Sequence, residues 1–186
     1  PLRMGIAGTS PNIPPAGTNQ SGEADGMGPA ASFSNPVNVL LDPTGELVVA
    51  DYDSGRLRIT TSNGAVSTLV NQASFQHPFG LIWTMDGTLI AQTDYNELGE
   101  SAGPEAGVIW EIDVDAGTAT PRATNAGRPR GMATLPSGKI MVADIERHDI
   151  RLFDPASGEL TPLAGQPGCS GFADGNGAEA QFDRPY

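Results

Sequence analysis

Residues 33–70 read FSNPVNVLLDPTGELVVADYDSGRLRITTSNGAVSTLV. Four short runs, VNVLL, LVVAD, LRIT and VSTLV, are apolar or rich in β-branched residues, which suit a pleated strand. DPTGEL between the first two and SNGA before the fourth supply a glycine able to take positive φ in a tight hairpin turn. Alternation is clearest in the third run, as expected of a strand nearer solvent. The stretch reads as a four-stranded antiparallel meander.

The pattern recurs twice. FQHPFGLIWTMDGTLIAQTDYNELGESAGPEAGVIWEIDVDAGTATPRAT and GRPRGMATLPSGKIMVADIERHDIRLFDPASGELTPLAG each have a proline near the start (Pro78 and Pro129, matching Pro36) and pass a turn glycine (Gly87 and Gly138, matching Gly45). Each then ends its second apolar run on an aspartate, Asp94 and Asp144 matching Asp51. A four-stranded sheet cannot bury both faces alone, and radial stacking of such sheets is the β-propeller. The expected fold is therefore all-β, a propeller of four-stranded antiparallel blades.

A second repetition joins the units. GEADGMGPAASFSNP (residues 22–36) and GFADGNGAEAQFDRP (residues 171–185) share glycine, Ala-Asp-Gly, alanine, phenylalanine and proline at the same offsets. LRMGIAG, before the first copy, matches LTPLAG, before the second, so the phrase reads as the link from the outermost strand of one blade to the innermost strand of the next. The units are 1–32 (end of a preceding blade and its link), 33–70, 75–124 and 126–165 (blades), and 166–186 (start of another blade). Three blades are fewer than a closed ring needs, so an arc is expected, completed by further blades of the same chain or by a second copy. Outermost strands beginning near Leu2, Val66, Ala119 and Leu160 outnumber the other kinds by one, which favours a stretch of a longer chain over a two-chain ring.

Composition agrees. Among 186 residues stand 24 glycines and 16 prolines, aromatics make 6%, and no helical apolar stripe appears, which suits many short strands joined by tight turns. The net charge of −12 argues against a nucleic-acid partner, since a phosphate backbone needs clustered Lys and Arg. Six of the ten basic residues (Arg122, Arg128, Arg130, Lys139, Arg147 and Arg151) lie close together, but Asp144, Glu146 and Asp149 sit among them, and a solvated mixed-charge face is expected. No apolar run nears the roughly 18 residues of a membrane-spanning helix, and no apolar signal core opens the sequence. Cys169, the single cysteine, is either a free thiol or half of a bond to something else.

The run of proline, apolar strand, Asp-x-x-Gly-x-Leu, apolar pair and Ala-Asp in residues 36–51 resembles the NHL repeat, and LAGQPGCSGFADGNGAEAQFDRP resembles that family's inter-blade segment. The second repeat departs from the pattern: Gln92-Thr93 replaces the apolar pair before Asp94, and NELGESAGPEAG (residues 96–107) is inserted between its second and third strands. The resemblance implies a six-bladed ring. It implies no single activity, since members resemble protein or RNA interaction platforms and related six-bladed propellers include metal-dependent lactonases and lyases.

Candidate functional residues follow. Asp51, Asp94 and Asp144 recur once per blade, and carboxylates converging on an axis would suit a hard cation such as Ca²⁺. The competing reading makes them turn aspartates that accept backbone N–H bonds, as are Asp25 and Asp174 in the Ala-Asp-Gly loops, and this reading is preferred. Positions after each repeat proline are Val37-Asn38, Phe79-Gly80 and Arg130-Gly131; Asn38, Phe79, Arg130 and Glu146 are expected to line a pocket. His77 and His148 lie beside no nucleophile and are expected to be ordinary hydrogen-bonded or surface histidines. Trp83, Phe79, Tyr95 and Trp110 gather in the second repeat, and Tyr95 and Trp110 flank the insertion. With Glu97, Glu100 and Glu105, the insertion is expected to project as an acidic partner-contact loop that adds nothing to the core.

The leading expectation is a non-catalytic propeller that binds a protein or small ligand outside the cytoplasm (extracellular, periplasmic or cell-surface), needing no cofactor, with loops making the contacts. The alternative is a divalent-metal-dependent hydrolase or lyase of the six-bladed class.

Overall fold

The computed structural model describes residues 16–18, 20–101 and 103–186. Its strands are β1 (Gly26–Met27), β2 (Pro36–Leu41), β3 (Leu47–Asp51), β4 (Arg56–Thr60), β5 (Ala65–Asn71), β6 (Pro78–Trp83), β7 (Leu89–Thr93), β8 (Val108–Asp113), β9 (Thr118–Ala123), β10 (Pro129–Thr134), β11 (Ile140–Asp144), β12 (Asp149–Phe153) and β13 (Leu160–Gly165). β2–β5, β6–β9 and β10–β13 are three antiparallel meanders, the blades 1, 2 and 3, each a sheet in chain order. Apart from two 3-10 turns, at Gly28–Ala30 and Gly177–Glu179, the described residues form no helix.

The hairpin glycines explain the sharp first reversal of each blade. Gly45, Gly87 and Gly138 adopt φ of 95°, 87° and 85°, with open space where a Cβ would stand, so the backbone angle alone demands glycine. Each blade also shifts register at two matching places, after the repeat proline and inside the third-to-fourth strand pairing at Leu57/Arg58, Ile109/Trp110 and Ile150/Arg151. The repeat extends to the bulges, which bend and twist a strand locally.

The core lies between sheets. Val48, Leu57, Val70, Phe75, Leu89 and Trp110 pack blade 1 on blade 2, and Ile90, Ile109, Ala126, Ile140, Val142 and Phe153 pack blade 2 on blade 3. β7 is buried at all five positions because the middle sheet is covered on both faces, which is why LIAQT shows no polar alternation. Burying each large apolar side chain contributes about 1.5–3 kcal/mol.

The linker before blade 1 does more than connect. β1 pairs with β5 (Gly26 opposite Val66, Met27 opposite Ala65), so the first sheet has five strands where four were expected. The expected strand at LRMGIAG lies outside the described residues.

Candidate functional site

The ends of β3, β7 and β11 and the starts of β2, β6 and β10 meet at one end of the blades, because Asp51, Thr93 and Asp144 stand directly opposite Pro36, Pro78 and Pro129. That register corrects the alignment of the aspartates: the position of Asp51 and Asp144 belongs in blade 2 to Thr93, and Asp94 lies one residue further on, where blade 1 has Tyr52.

Asp51 and Asp144 are held by their turns. Asp51 accepts from the Ser34 N–H (2.6 Å) and the Ser54 hydroxyl (2.6 Å), with Arg58 Nη1 at 3.5 Å. Asp144 accepts from the N–H groups of Arg128 (2.9 Å), Glu146 (2.9 Å) and Arg147 (3.1 Å) and from Arg151 Nη2 (2.8 Å).

Asp94 differs from the turn role expected of it. Its donors are side chains drawn from three blades: the Tyr52 hydroxyl at 2.6 Å, Arg130 in a two-pronged contact at 2.8 and 2.7 Å, Arg128 Nη2 at 3.0 Å and Gln92 Nε2 at 3.1 Å. Burial raises the pKa of the Asp94 carboxyl, but the hydrogen bonds from Arg130 and Tyr52 and the charge of Arg130 outweigh it and hold the group down to about 2. The Tyr52 phenol is pushed up to about 12 by burial and by its bond to the Asp94 carboxylate. Arg130 is anchored further by the Phe79 ring, 4.1 Å from the guanidinium carbon. Arg128, a third exposed, bridges Asp94 to Glu146 (3.3 Å).

Arg128, Glu146, Tyr52, Asp94, Tyr95, Ser101, Gly103 and Pro104 line a cleft of about 400 Å³. His77 stacks on Tyr95 (4.1 Å between centroids) and meets Tyr52 edge-on (4.7 Å), and it adopts φ of 57° before Pro78. Its buried Nδ1 has no hydrogen-bond partner among the described residues, unlike the ordinary histidine expected. His148 Nδ1 accepts from the Arg184 N–H (3.0 Å). A second cleft, about 520 Å³, lies among the hairpin turns of blades 2 and 3, where Arg122–Glu111 and Lys139–Asp154 pair off the charges.

Other expected contact residues scatter. Asn38 is half-buried and its Oδ1 accepts from the Val39 N–H. Trp110 is no partner contact: it is 1% exposed, packs edge-on against Phe75 and donates to Thr93 Oγ1 at 2.7 Å. Trp83 donates to the Leu41 carbonyl across the blade 1–blade 2 junction. The basic cluster is not one solvated face either, since Arg130 and Arg151 are buried.

The inserted loop projects only in part. Leu98, Glu97, Glu100 and Glu105 are exposed, but Ala106 is buried and the Gly107 carbonyl accepts from the Ala126 N–H, tying that end of the loop to the segment before blade 3. Glu105 also pairs with Arg147.

A divalent cation does not fit these residues. Both Asp94 oxygens already accept from arginines, Asp51 and Asp144 are occupied by turn donors, and no group of three His, Cys, Asp or Glu among the described residues is placed to hold a metal. Cys169 is a free, exposed thiol.

This architecture defines the class, a β-propeller of four-stranded blades. No family model matches the sequence and no curated protein matches it. Among solved structures, the chain is similar to a protein of unknown function from Bacteroides thetaiotaomicron (19% identity, TM-score 0.61, covering 80% of this chain and 40% of that one). It is also similar to an auxiliary nutrient binding protein from Bacteroides ovatus (17%, 0.60, 83% and 37%) and to virginiamycin B lyase from Staphylococcus aureus (19%, 0.52, 69% and 40%). The chain thus spans less than half the length of each, and identities this low establish the fold alone. Among the described residues no helix is long and apolar enough to cross a membrane.

Proposed function

We propose that the chain is part of an NHL-type propeller that binds a protein segment or a small polar ligand without catalysis, at the cleft where Arg128 and Glu146 open to solvent. The observation that carries this reading is the Tyr52–Asp94–Arg130–Arg128 cluster. Its buried members are fixed by mutual charge-assisted bonds, and it presents one guanidinium edge and one carboxylate beside Tyr52 and Tyr95. Such a preorganised mixed-charge rim on an aromatic floor suits recognition, because its groups lose little freedom on binding. The neighbour described as a nutrient binding protein accords with this reading.

Saturation-transfer NMR against short peptides and sugar acids tests it. Ligands bound by the wild type are expected to lose their signal in the Arg128→Ala/Glu146→Ala variant; unchanged signals in that variant reject the cleft.

The second reading, accordant with the lyase neighbour, is a hydrolase or lyase whose divalent metal would be held by residues other than the described ones, which do not fit it. A tightly bound Ca²⁺, Mg²⁺ or Zn²⁺, lost together with turnover on treatment with EDTA, would replace the first reading with this one.

A further inference from the structure

The 171–185 linker repeats the backbone of the 22–36 linker. In each, a glycine N–H closes on a phenylalanine carbonyl (Gly22 to Phe33, 3.1 Å; Gly171 to Phe182, 3.0 Å). A second bond returns to the Ala-Asp-Gly alanine (Ser32 to Ala24, 3.0 Å; Gln181 to Ala173, 2.9 Å). The 3-10 turns correspond, with Gly28 and Gly177 at φ of 52° and 56°. Asn35 and Arg184, before the following prolines, match at 62° and 53°.

In the first copy this frame encloses one side chain. Arg58, from the third strand of the blade the linker leads into, is fully buried there. Its Nη1 donates to the Ser32 carbonyl (3.0 Å), and Nη2 to the Ala24 carbonyl (2.9 Å) and the Asp25 carboxylate (2.7 Å). The Phe33 ring lies 5.2 Å from its guanidinium carbon. Carboxylate, two carbonyls and ring together read the planar fork of a guanidinium, which an ammonium does not match.

Every one of those features recurs at the same offset in the second copy: the Asp174 carboxylate, the Ala173 and Gln181 carbonyls and the Phe182 ring. They surround a concavity of about 550 Å³ that Phe172, 89% exposed, flanks. Among the described residues no group donates to the Asp174 carboxylate. Nor does blade 3 supply the cation from its matching position, because Arg151 is held by Asp144 and by the Ala126 carbonyl. The frame is fixed without a guest: Arg184 N–H to His148 Nδ1 (3.0 Å), Gln166 Nε2 to the Ala178 carbonyl (2.9 Å) and the Phe182 ring against Gly165 all anchor it to blade 3.

We infer that residues 171–185 form a receptor for an arginine side chain carried on the third strand of a β-sheet stacked beside blade 3. The guanidinium lies against Phe182 and donates to the Asp174 carboxylate and to the carbonyls of Ala173 and Gln181, as Arg58 does in the first copy. The linker thereby acts as an assembly latch. It selects the neighbouring sheet by one buried arginine, and the chain's acidic balance favours that cationic guest.

The experiment titrates the ¹⁵N-labelled chain with N-acetyl-arginine methylamide and, in parallel, with its citrulline and lysine counterparts. Expected are saturable shifts at Asp174, Gln181 and Phe182 with the arginine compound, about tenfold weaker binding of the other two, and no shift at residues 22–36, where Arg58 is already seated. Asp174→Asn, an exposed change that should leave the melting temperature unaltered, removes the preference for arginine. Arg58→Ala adds a second responsive site at Asp25 and Phe33. Equal binding of citrulline, undiminished arginine binding in Asp174→Asn, or no saturable shift at Asp174 and Phe182 overturns the inference.

Discussion

Trp110 Nε1 donates to Thr93 Oγ1 at 2.7 Å, at the register position where blade 1 sets Arg58 beside Asp51 and blade 3 sets Arg151 beside Asp144. The middle blade thus replaces a buried ion pair with an indole and a hydroxyl. Among the described residues it is the sheet packed between two others, and an indole fills that space while its single N–H is satisfied. The carboxylate of this blade stands one residue later, on Asp94, outside the strand pairing, where it gathers Tyr52, Arg128 and Arg130.

Thr93→Val keeps the shape but leaves the Trp110 N–H buried without an acceptor, at a cost of about 1–3 kcal/mol in urea unfolding. Thr93→Asp alone buries a carboxylate without its arginine and should cost more, about 3–5 kcal/mol. Thr93→Asp/Trp110→Arg, which copies the neighbouring blades, is expected to recover part of that loss. A double variant no better than Thr93→Asp would show that the two positions are not coupled.

Asp94→Asn turns one acceptor into a donor facing two guanidinium groups and a phenol. The expected loss is about 3–5 kcal/mol, because a buried arginine is left unpaired. Arg128→Ala removes a partner that is a third exposed and should cost less than about 1 kcal/mol. The cluster is therefore separable: Arg128 can be tested for binding in a folded protein, Asp94 cannot. Equal destabilisation by the two changes would contradict this division.

The blades were legible because their signals are local: the glycines at 45, 87 and 138 and the apolar runs around them each specify a hairpin by themselves. The site was less so. Matching Asp94 to Asp51 and Asp144 by residue type slides blade 2 by one position. The clue was present, since Gln92-Thr93 stood where the other repeats have an apolar residue and alanine; counting LIAQT against LVVAD would have put Thr93 at the aspartate position. Glu146, in the turn after β11, lines the cleft, whereas Arg130, at the start of β10, is buried against Asp94 and does not. Tyr52 and Arg128 carry no repeat signature, and only the approach of three blades brings them to Asp94. Trp110 misled for the opposite reason: its neighbour in sequence is an exposed loop, while its neighbours in space are Phe75 and Thr93.

The inserted loop divides into a free arm and a tether. Leu98→Ser, at a side chain 70% exposed, should change stability by less than about 0.5 kcal/mol. A bulkier residue at 107 should not be tolerated, since a Cβ on Gly107 would stand 1.8 Å from the Gly127 carbonyl oxygen. Gly107→Ala is therefore expected to lower the melting temperature by several degrees while Leu98→Ser does not, as read by circular dichroism. Complete excision of 96–107 removes both parts at once and should destabilise the fold, whereas a tolerated excision would show that the tether at Ala106 and Gly107 is dispensable.

The Asp94–Tyr52 pair sets two limits on stability with pH. The Asp94 carboxyl falls from an ordinary value of 3.8 to about 2 on folding, so its contribution is present above pH 4 and is lost as pH falls through about 2. A depression of that size corresponds to stabilisation on the order of 2 kcal/mol. The Tyr52 phenol moves the other way, from 10.0 to about 12, so its contribution is complete below pH 10 and disappears as pH rises through 12. Urea midpoints should therefore fall between pH 4 and 2, and again between pH 10 and 12. Tyr52→Phe should remove the alkaline loss attributable to this residue and weaken the acid one, because Asp94 keeps its arginines but loses one donor. Arg130→Met should reduce the acid loss most, since Arg130 supplies both the strongest hydrogen bonds and the strongest charge acting on Asp94. If acid limbs of wild type and Arg130→Met coincide once normalised to their neutral-pH midpoints, the carboxylate is not held down by that arginine.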